Sequence, residues 1–143
     1  MNRDLEDFFL DGKAKIDQGK CSEAQTFKKD IMKSMSIPLI QGTLHSAYMI
    51  AQGDTSSKAK AEGATFAGSI LPQLANCSPA DATIVKNHMW MDGDMATTAD
   101  GFTTVKEAFE RNYACMLLTC ADIGGKDDGQ GGYVAGFLPC TGN

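Results

Sequence analysis

The chain predicts an all-α fold: a single-domain bundle of five to six helices over residues 1–143, tied by disulfides and closed by a glycine-rich C-terminal coil. Three observations carry that expectation. Val105, Ala108, Phe109, Asn112, Tyr113, Met116, Leu117 and Cys120 recur at alternating spacings of three and four, the pattern of a helix buried along one face. Helix-start signatures punctuate the rest of the chain: Ser22 with Gln25, Ser78-Pro79, and Thr104 with Glu107. Five cysteines occur with no C-x-x-C and no C-x-x-H pair that would read as a zinc site, so most of them read as disulfides formed in an oxidising compartment.

The elements follow in order. A first helix from Leu5 to Asp17 places Leu5, Phe8, Phe9 and Ile16 on one side, is weakened by Gly12, and ends at Gly19-Lys20-Cys21. A second begins at Ser22, with Ala24, Phe27, Ile31 and Met35 as its apolar stripe and Lys28, Lys29 and Lys33 facing water. Ser36-Ile37-Pro38 breaks the chain and opens a third helix, because proline is tolerated in a first turn. That helix carries Ile37, Ile40, Leu44, Ala47, Tyr48 and Ala51 on one face and stops at Gly53-Asp54. A fourth starts near Thr55 or Ser56, runs through Ala59, Gly63, Phe66, Ala67, Ile70 and Leu74, and should kink at Pro72. A fifth starts at Ser78-Pro79 with Asp81 at the third helical position and runs to about Trp90. Met91 to Gly101 is a polar loop. The last helix starts at Thr103 or Thr104 and stops at Gly124-Gly125, and the tail from Lys126 to Asn143 is coil with room for a short hairpin around Gly131-Gly132.

Composition bounds the function. Apolar content of 43% and charged content of 22% are those of an ordinary globular protein. A net charge of −5 argues against a nucleic-acid partner, which clustered Lys and Arg would bind. No apolar run approaches the roughly 20 residues of a transmembrane segment. Met1 to Asp7 has no apolar stretch of signal-peptide type, so the reading is a chain whose leader has been removed, or a fragment.

Cys120, near a helix end, pairs with Cys140 in this reading and pins the tail, a loop that contributes about 3 kcal/mol by chain entropy. Cys115 and Cys120 lie about 140° apart around a helix and do not bond each other. Cys21 and Cys77 precede predicted helix caps and pair either with each other or with Cys115, which leaves one cysteine over. Gln41, His45 and Tyr48 stand at i, i+4 and i+7 and converge on one helix face; Tyr113 offers a second phenol from the last helix. Ferric iron, a hard cation, favours such anionic oxygen donors. The competing reading keeps both tyrosines as packed rings on apolar stripes. Asp92, Asp94 and Asp100 fail the calcium-loop pattern and read as turn residues. Asn76-Cys77-Ser78 matches the glycosylation sequon, but Pro79 follows it and Cys77 is a disulfide candidate, so it is expected to be unused.

Three blocks carry a family resemblance: Ser36 to Tyr48 (Ser-Ile-Pro-Leu-Ile-Gln-Gly-Thr-Leu-His-Ser-Ala-Tyr); Ala61 to Ala67 with Ile70-Leu71-Pro72; and Ala108 to Cys115 with Cys120 to Gly125. In this order they resemble the algal low-iron-inducible periplasmic protein family, to which diatom phytotransferrins belong, over roughly Gln18 to Cys140. The resemblance implies a non-enzymatic, secreted, periplasmic or cell-surface protein that binds ferric iron, with carbonate as a synergistic anion. It makes Tyr48 and Tyr113 the preferred phenolate ligands, with His45 at a position where the family block often carries a basic residue. Two departures stand: no leader or membrane anchor is read in this chain, and it has one copy of a domain that relatives can repeat. The alternative is a structural or linker subunit of a larger algal assembly (thylakoid-lumen, cell-surface or filament), for which the partner is another protein subunit. A carbonic-anhydrase-like enzyme is disfavoured, since two histidines fall one short of a three-histidine zinc site.

Overall fold

The computed structural model describes residues 2–91 and 99–141. Six helices occur among them: α1 (Asn2–Asp17), α2 (Cys21–Ala51), α3 (Ser57–Cys77), α4 (Pro79–Met89), α5 (Ala99–Glu110) and α6 (Cys120–Ile123). The fold is all-α and disulfide-tied, as the periodicity predicts. The loop acids Asp92 and Asp94 lie outside the described residues. The expected single domain divides into two compact units, Met1–Pro38 and Leu39–Asn143, with the division falling inside α2.

The first unit is a helical hairpin made of α1 and the first half of α2. Gly19, at φ 73°, closes α1 in the left-handed conformation that a glycine adopts without penalty. The Gly19 amide donates to the Ile16 carbonyl (2.9 Å) and the Lys20 amide to the Lys15 carbonyl (2.9 Å), the paired bonds of a Schellman stop. α2 opens at Cys21, so Ser22 lies within its first turn and does not cap it. Gly12 lets the helices approach, since a Cβ there would stand 3.2 Å from Phe27 Cβ.

The expected break at Ser36-Ile37-Pro38 does not occur. Pro38 forgoes one backbone bond, a cost of about 3 kcal/mol in a helix interior. Immediately beyond it Ile40, Thr43, Leu44 and Ala47 are almost wholly buried, which holds the helical path across the proline. Hydroxyls donate back into the helix on either side, Ser36 to the Met32 carbonyl (2.6 Å) and Thr43 to the Leu39 carbonyl (2.8 Å).

In the second unit α4 packs against both α3 and α5. Ser56 caps α3, its hydroxyl accepting from the Ala59 amide (3.2 Å), and the predicted face Ala59, Gly63, Ala67, Ile70 and Leu74 is buried. Small residues on that face serve close approach: a Cβ on Gly63 would meet Met89 Cε at 2.8 Å and Ser46 Cβ at 3.0 Å. Ser78 caps α4 as its sequence predicts, accepting from the Asp81 amide (3.2 Å).

The long last helix is interrupted. α5 begins at Ala99, upstream of the Thr104–Glu107 pair, and ends at Glu110. Turns then lead to Leu117, whose φ of 62° puts a non-glycine residue in left-handed backbone. The Leu118 amide donates to the Tyr113 carbonyl (2.8 Å) and the Leu117 amide to the Ala114 carbonyl (3.2 Å), a second Schellman arrangement. Tyr113 and Leu118, the two residues that motif brings into apolar contact, are both buried. The stop is hidden in the sequence because leucine stands where glycine signals it. α6 then restarts at Thr119, which forms a capping box with Asp122.

Two disulfides occur, Cys77–Cys115 and the expected Cys120–Cys140. Cys77–Cys115 selects one of the open alternatives and corrects another. Cys21, expected in a disulfide, is a free, exposed thiol at the start of α2, because its candidate partners in the second unit are bonded to each other. The disulfides fit an oxidising compartment.

Beside Cys77–Cys115, the Asp81 carboxylate accepts from Arg111 Nη2 (2.6 Å) and Asn112 Nδ2 (2.7 Å), which joins the start of α4 to the end of α5. The Arg111 bond, helped by Asn112 and Ser78 and opposed by burial, holds this carboxyl below the ordinary carboxylate range. A depressed folded-state pKa stabilises above the unfolded value, near 4, and that stability is lost as pH falls through the folded value. Asp81→Asn is expected to cost about 1–2 kcal/mol at neutral pH and to flatten the acid limb of the stability curve below about pH 4. Urea titrations at several pH values check this; parallel acid limbs for the variant and the wild-type chain would contradict it.

Candidate functional site

The site is assembled by the tail. The Cys120–Cys140 disulfide closes residues 120–140 into a loop. Inside it the Lys126 amide donates to the Phe137 carbonyl (3.0 Å), the Val134 amide to the Lys126 carbonyl (2.8 Å), and Asp127 and Tyr133 form an antiparallel bridge, a short hairpin where Gly131-Gly132 allows one. Gln41 Nε2 on α2 donates to the Ile123 carbonyl at the end of α6 (2.9 Å) and ties the loop to α2.

Tyr48 of α2 is half-buried in an aromatic cluster. Its ring meets Phe102 of α5 edge-on at 5.4 Å and Phe137 of the tail at 5.5 Å, and Phe102 and Phe137 are 4.9 Å apart. Lys126 Nζ lies 4.8 Å from the Tyr48 ring centroid, a cation–π contact, and 3.7 Å from Met49 Sδ. A pocket of about 180 Å³ opens beside this cluster, lined by Gln41, Leu44, His45, Ile123, Gly125, Lys126 and Phe137. It is smaller than the roughly 300–1,000 Å³ of pockets for drug-sized ligands, so it suits an ion or a very small molecule.

His45 is exposed at this pocket. Desolvation and the Lys126 charge lower its pKa, against an opposing effect from Glu62 of α3. Its imidazole is therefore neutral at neutral pH, with a lone pair to offer. Glu62 is close enough to couple to it electrostatically and is an exposed carboxylate.

Tyr113 is placed differently. It is 5% exposed, and its phenol is raised well above the ordinary range by burial and by the Glu110 charge. A ferric ligand must give up its proton, and this environment opposes that. No ring contact joins Tyr113 to Tyr48 among the described residues. The structure therefore groups His45 and Tyr48 with the Lys126 pocket and leaves Tyr113 in the core. Nor do three or more His, Cys, Asp or Glu side chains gather as a metal cluster among the described residues.

Sequence reasoning missed Lys126 and Glu62. Lys126 meets Met49 across a separation of 77 residues, and nothing local marks it. Glu62 lies on the exposed side of α3, one turn from the Lys58 with which it pairs at 3.8 Å, and reads as a solvated charge. No helix among the described residues is long and apolar enough to cross a membrane. No family model matches the sequence, and no curated protein or solved structure matches it.

Proposed function

We propose that this chain is a non-enzymatic ferric-ion binding domain of an oxidising secretory or cell-surface compartment (the thylakoid lumen being the alternative), taking iron together with carbonate beside the pocket of His45 and Lys126. The observation that carries the reading is the Lys126 ammonium held over Tyr48 at a small pocket that also exposes an imidazole. Tyr48 would supply a phenolate, His45 a neutral nitrogen and Glu62 a carboxylate, and carbonate on Lys126 would add hard oxygens. Tyr113 plays no part in the binding, given its burial.

The charge arrangement dictates an order. Two unit charges 4 Å apart interact by about 4 kcal/mol at an effective dielectric near 20. A trivalent ion beside Lys126 is repelled by a multiple of that unless an anion stands between them, so iron uptake must depend on the anion. Titration with ferric nitrilotriacetate is expected to give a visible phenolate-to-iron band in bicarbonate buffer and little without bicarbonate. Tyr48→Phe should remove the band, Tyr113→Phe should keep it, and Lys126→Ala should weaken the bicarbonate dependence. Equal colour in Tyr48→Phe would defeat the assignment.

A structural subunit is the second reading. It is favoured by the apolar surface of the first unit, where Phe9, Leu10, Ile16 and Met35 are each at least half exposed.

A further inference from the structure

The α1–α2 hairpin has no core of its own. Every buried apolar side chain of the described chain lies at Ile40 or beyond, whereas Phe9 (54%), Ile16 (60%) and Met32 (41%) are exposed. These three line an apolar groove of about 400 Å³ that also takes in Phe27 and Ile31, with Lys13 and Lys28 among its lining residues. A unit of 38 residues is below the size at which a chain usually holds itself together without a staple or a partner. Both of its helices are amphipathic, with their apolar sides only half covered.

Charge selects the occupant. Residues 1–38 hold seven basic and seven acidic side chains, so the whole net charge of −5 belongs to residues 39–143. Two copies therefore repel through their second units, while their hairpins can meet without net repulsion. The charges within the hairpin are also segregated. Asp4, Glu6, Asp7 and Asp11 lie on the first half of α1; Lys28, Lys29 and Lys33 lie on α2. The Gly12–Phe27 approach places these two stretches side by side at the open end of the hairpin. A two-fold axis that lays α1 of one copy over α2 of the other sets acid over base twice, because an isologous interface repeats every contact.

We propose that the first unit is a self-association surface: two copies pack hairpin to hairpin as an antiparallel four-helix bundle that closes both apolar grooves. A helix of 16 residues is about 24 Å long, so a face two helices wide falls at or below the low end of stable interfaces, roughly 1,200 Å² in total. The dimer is accordingly concentration-dependent, dissociating in the micromolar range. This inference is independent of iron binding.

Sedimentation equilibrium of the metal-free full chain carrying Cys21→Ser, from about 1 to 100 μM, tests it. The Cys21→Ser background excludes a dimer made only by the exposed thiol. The expected mass rises from 15.2 kDa towards twice that value. Ile16→Glu, at a site exposed enough to leave the helix intact, should weaken association about tenfold or more. The pair Lys28→Glu/Lys29→Glu should dissociate by itself and form a mixed dimer with Asp7→Lys/Asp11→Lys. A monomer at 100 μM overturns the proposal, as does an oligomer indifferent to Ile16→Glu; a swapped pair that fails to form the mixed dimer overturns the two-fold arrangement. Circular dichroism of each variant separates lost association from lost folding.

Discussion

Removing the Cys77–Cys115 disulfide by the double change Cys77→Ala/Cys115→Ala is expected to lower the unfolding free energy by about 4 kcal/mol, the chain-entropy value for a loop of 38 residues. Domains of ordinary stability have about 5–15 kcal/mol in total, so the variant should sit close to its unfolding transition at room temperature. The bond holds the end of α3 against the turns that follow α5. Those turns include Leu117 in left-handed backbone, a conformation that costs a non-glycine residue roughly 1–2 kcal/mol. Freed of the crosslink, residues 111–120 can resume the helical course that their apolar spacing favours. The double variant should therefore gain helical signal at 222 nm under stabilising conditions while its urea midpoint falls. A loss of less than about 1 kcal/mol would mean that the Asp81–Arg111–Asn112 bonds and the Schellman stop hold the turn by themselves.

That tension explains what could be read from the sequence and what could not. Val105, Ala108, Phe109, Asn112, Tyr113 and Met116 are all buried, so periodicity identified the core face. It could not reveal that the backbone leaves the helix after Glu110, because a Schellman stop with leucine at the left-handed position has no compositional mark. The break expected at Pro38 failed for the opposite reason: a strong local signal yielded to the burial of the residues just after it. Capping chemistry at Ser78 was legible because the serine and the amide it caps are three residues apart. The candidate site was legible only in part. His45 and Tyr48 are one turn apart on α2, and their common face follows from spacing alone. Lys126 reaches them through a loop whose path depends on a disulfide and on a glycine packed against backbone, and no sequence period encodes either of these. Tyr113 illustrates the limit of residue-type reasoning: a phenol on an apolar stripe can be a ligand or a core ring, and burial with a nearby carboxylate decides for the ring.

The glycine in question makes the second large prediction. A Cβ added at Gly125 would fall 2.5 Å from the Phe137 carbonyl oxygen and 2.9 Å from the Pro139 nitrogen. These are backbone atoms and cannot swing aside as a side-chain tip can. Gly125→Ala must therefore push the 134–139 segment away and open the bond from the Lys126 amide to the Phe137 carbonyl. Overpacking of this kind costs about 1–3 kcal/mol, but the larger effect is local. Lys126 and Phe137 are the residues that bring a cation and a ring to Tyr48, so displacing them dismantles the pocket while the helices remain in place. The matched control is Gly129→Ala, in the same loop: no atom lies within 4 Å of its Cβ position, and its φ of 78° imposes a backbone penalty without steric conflict. Both variants should lose a modest amount of stability in urea. Only Gly125→Ala should shift the ring resonances of Tyr48 and Phe102 and abolish bicarbonate-dependent iron colour. If the two variants behave alike, close packing at Gly125 is not what positions Lys126, and the pocket must be held from the α2 side, through Gln41 and the end of α6.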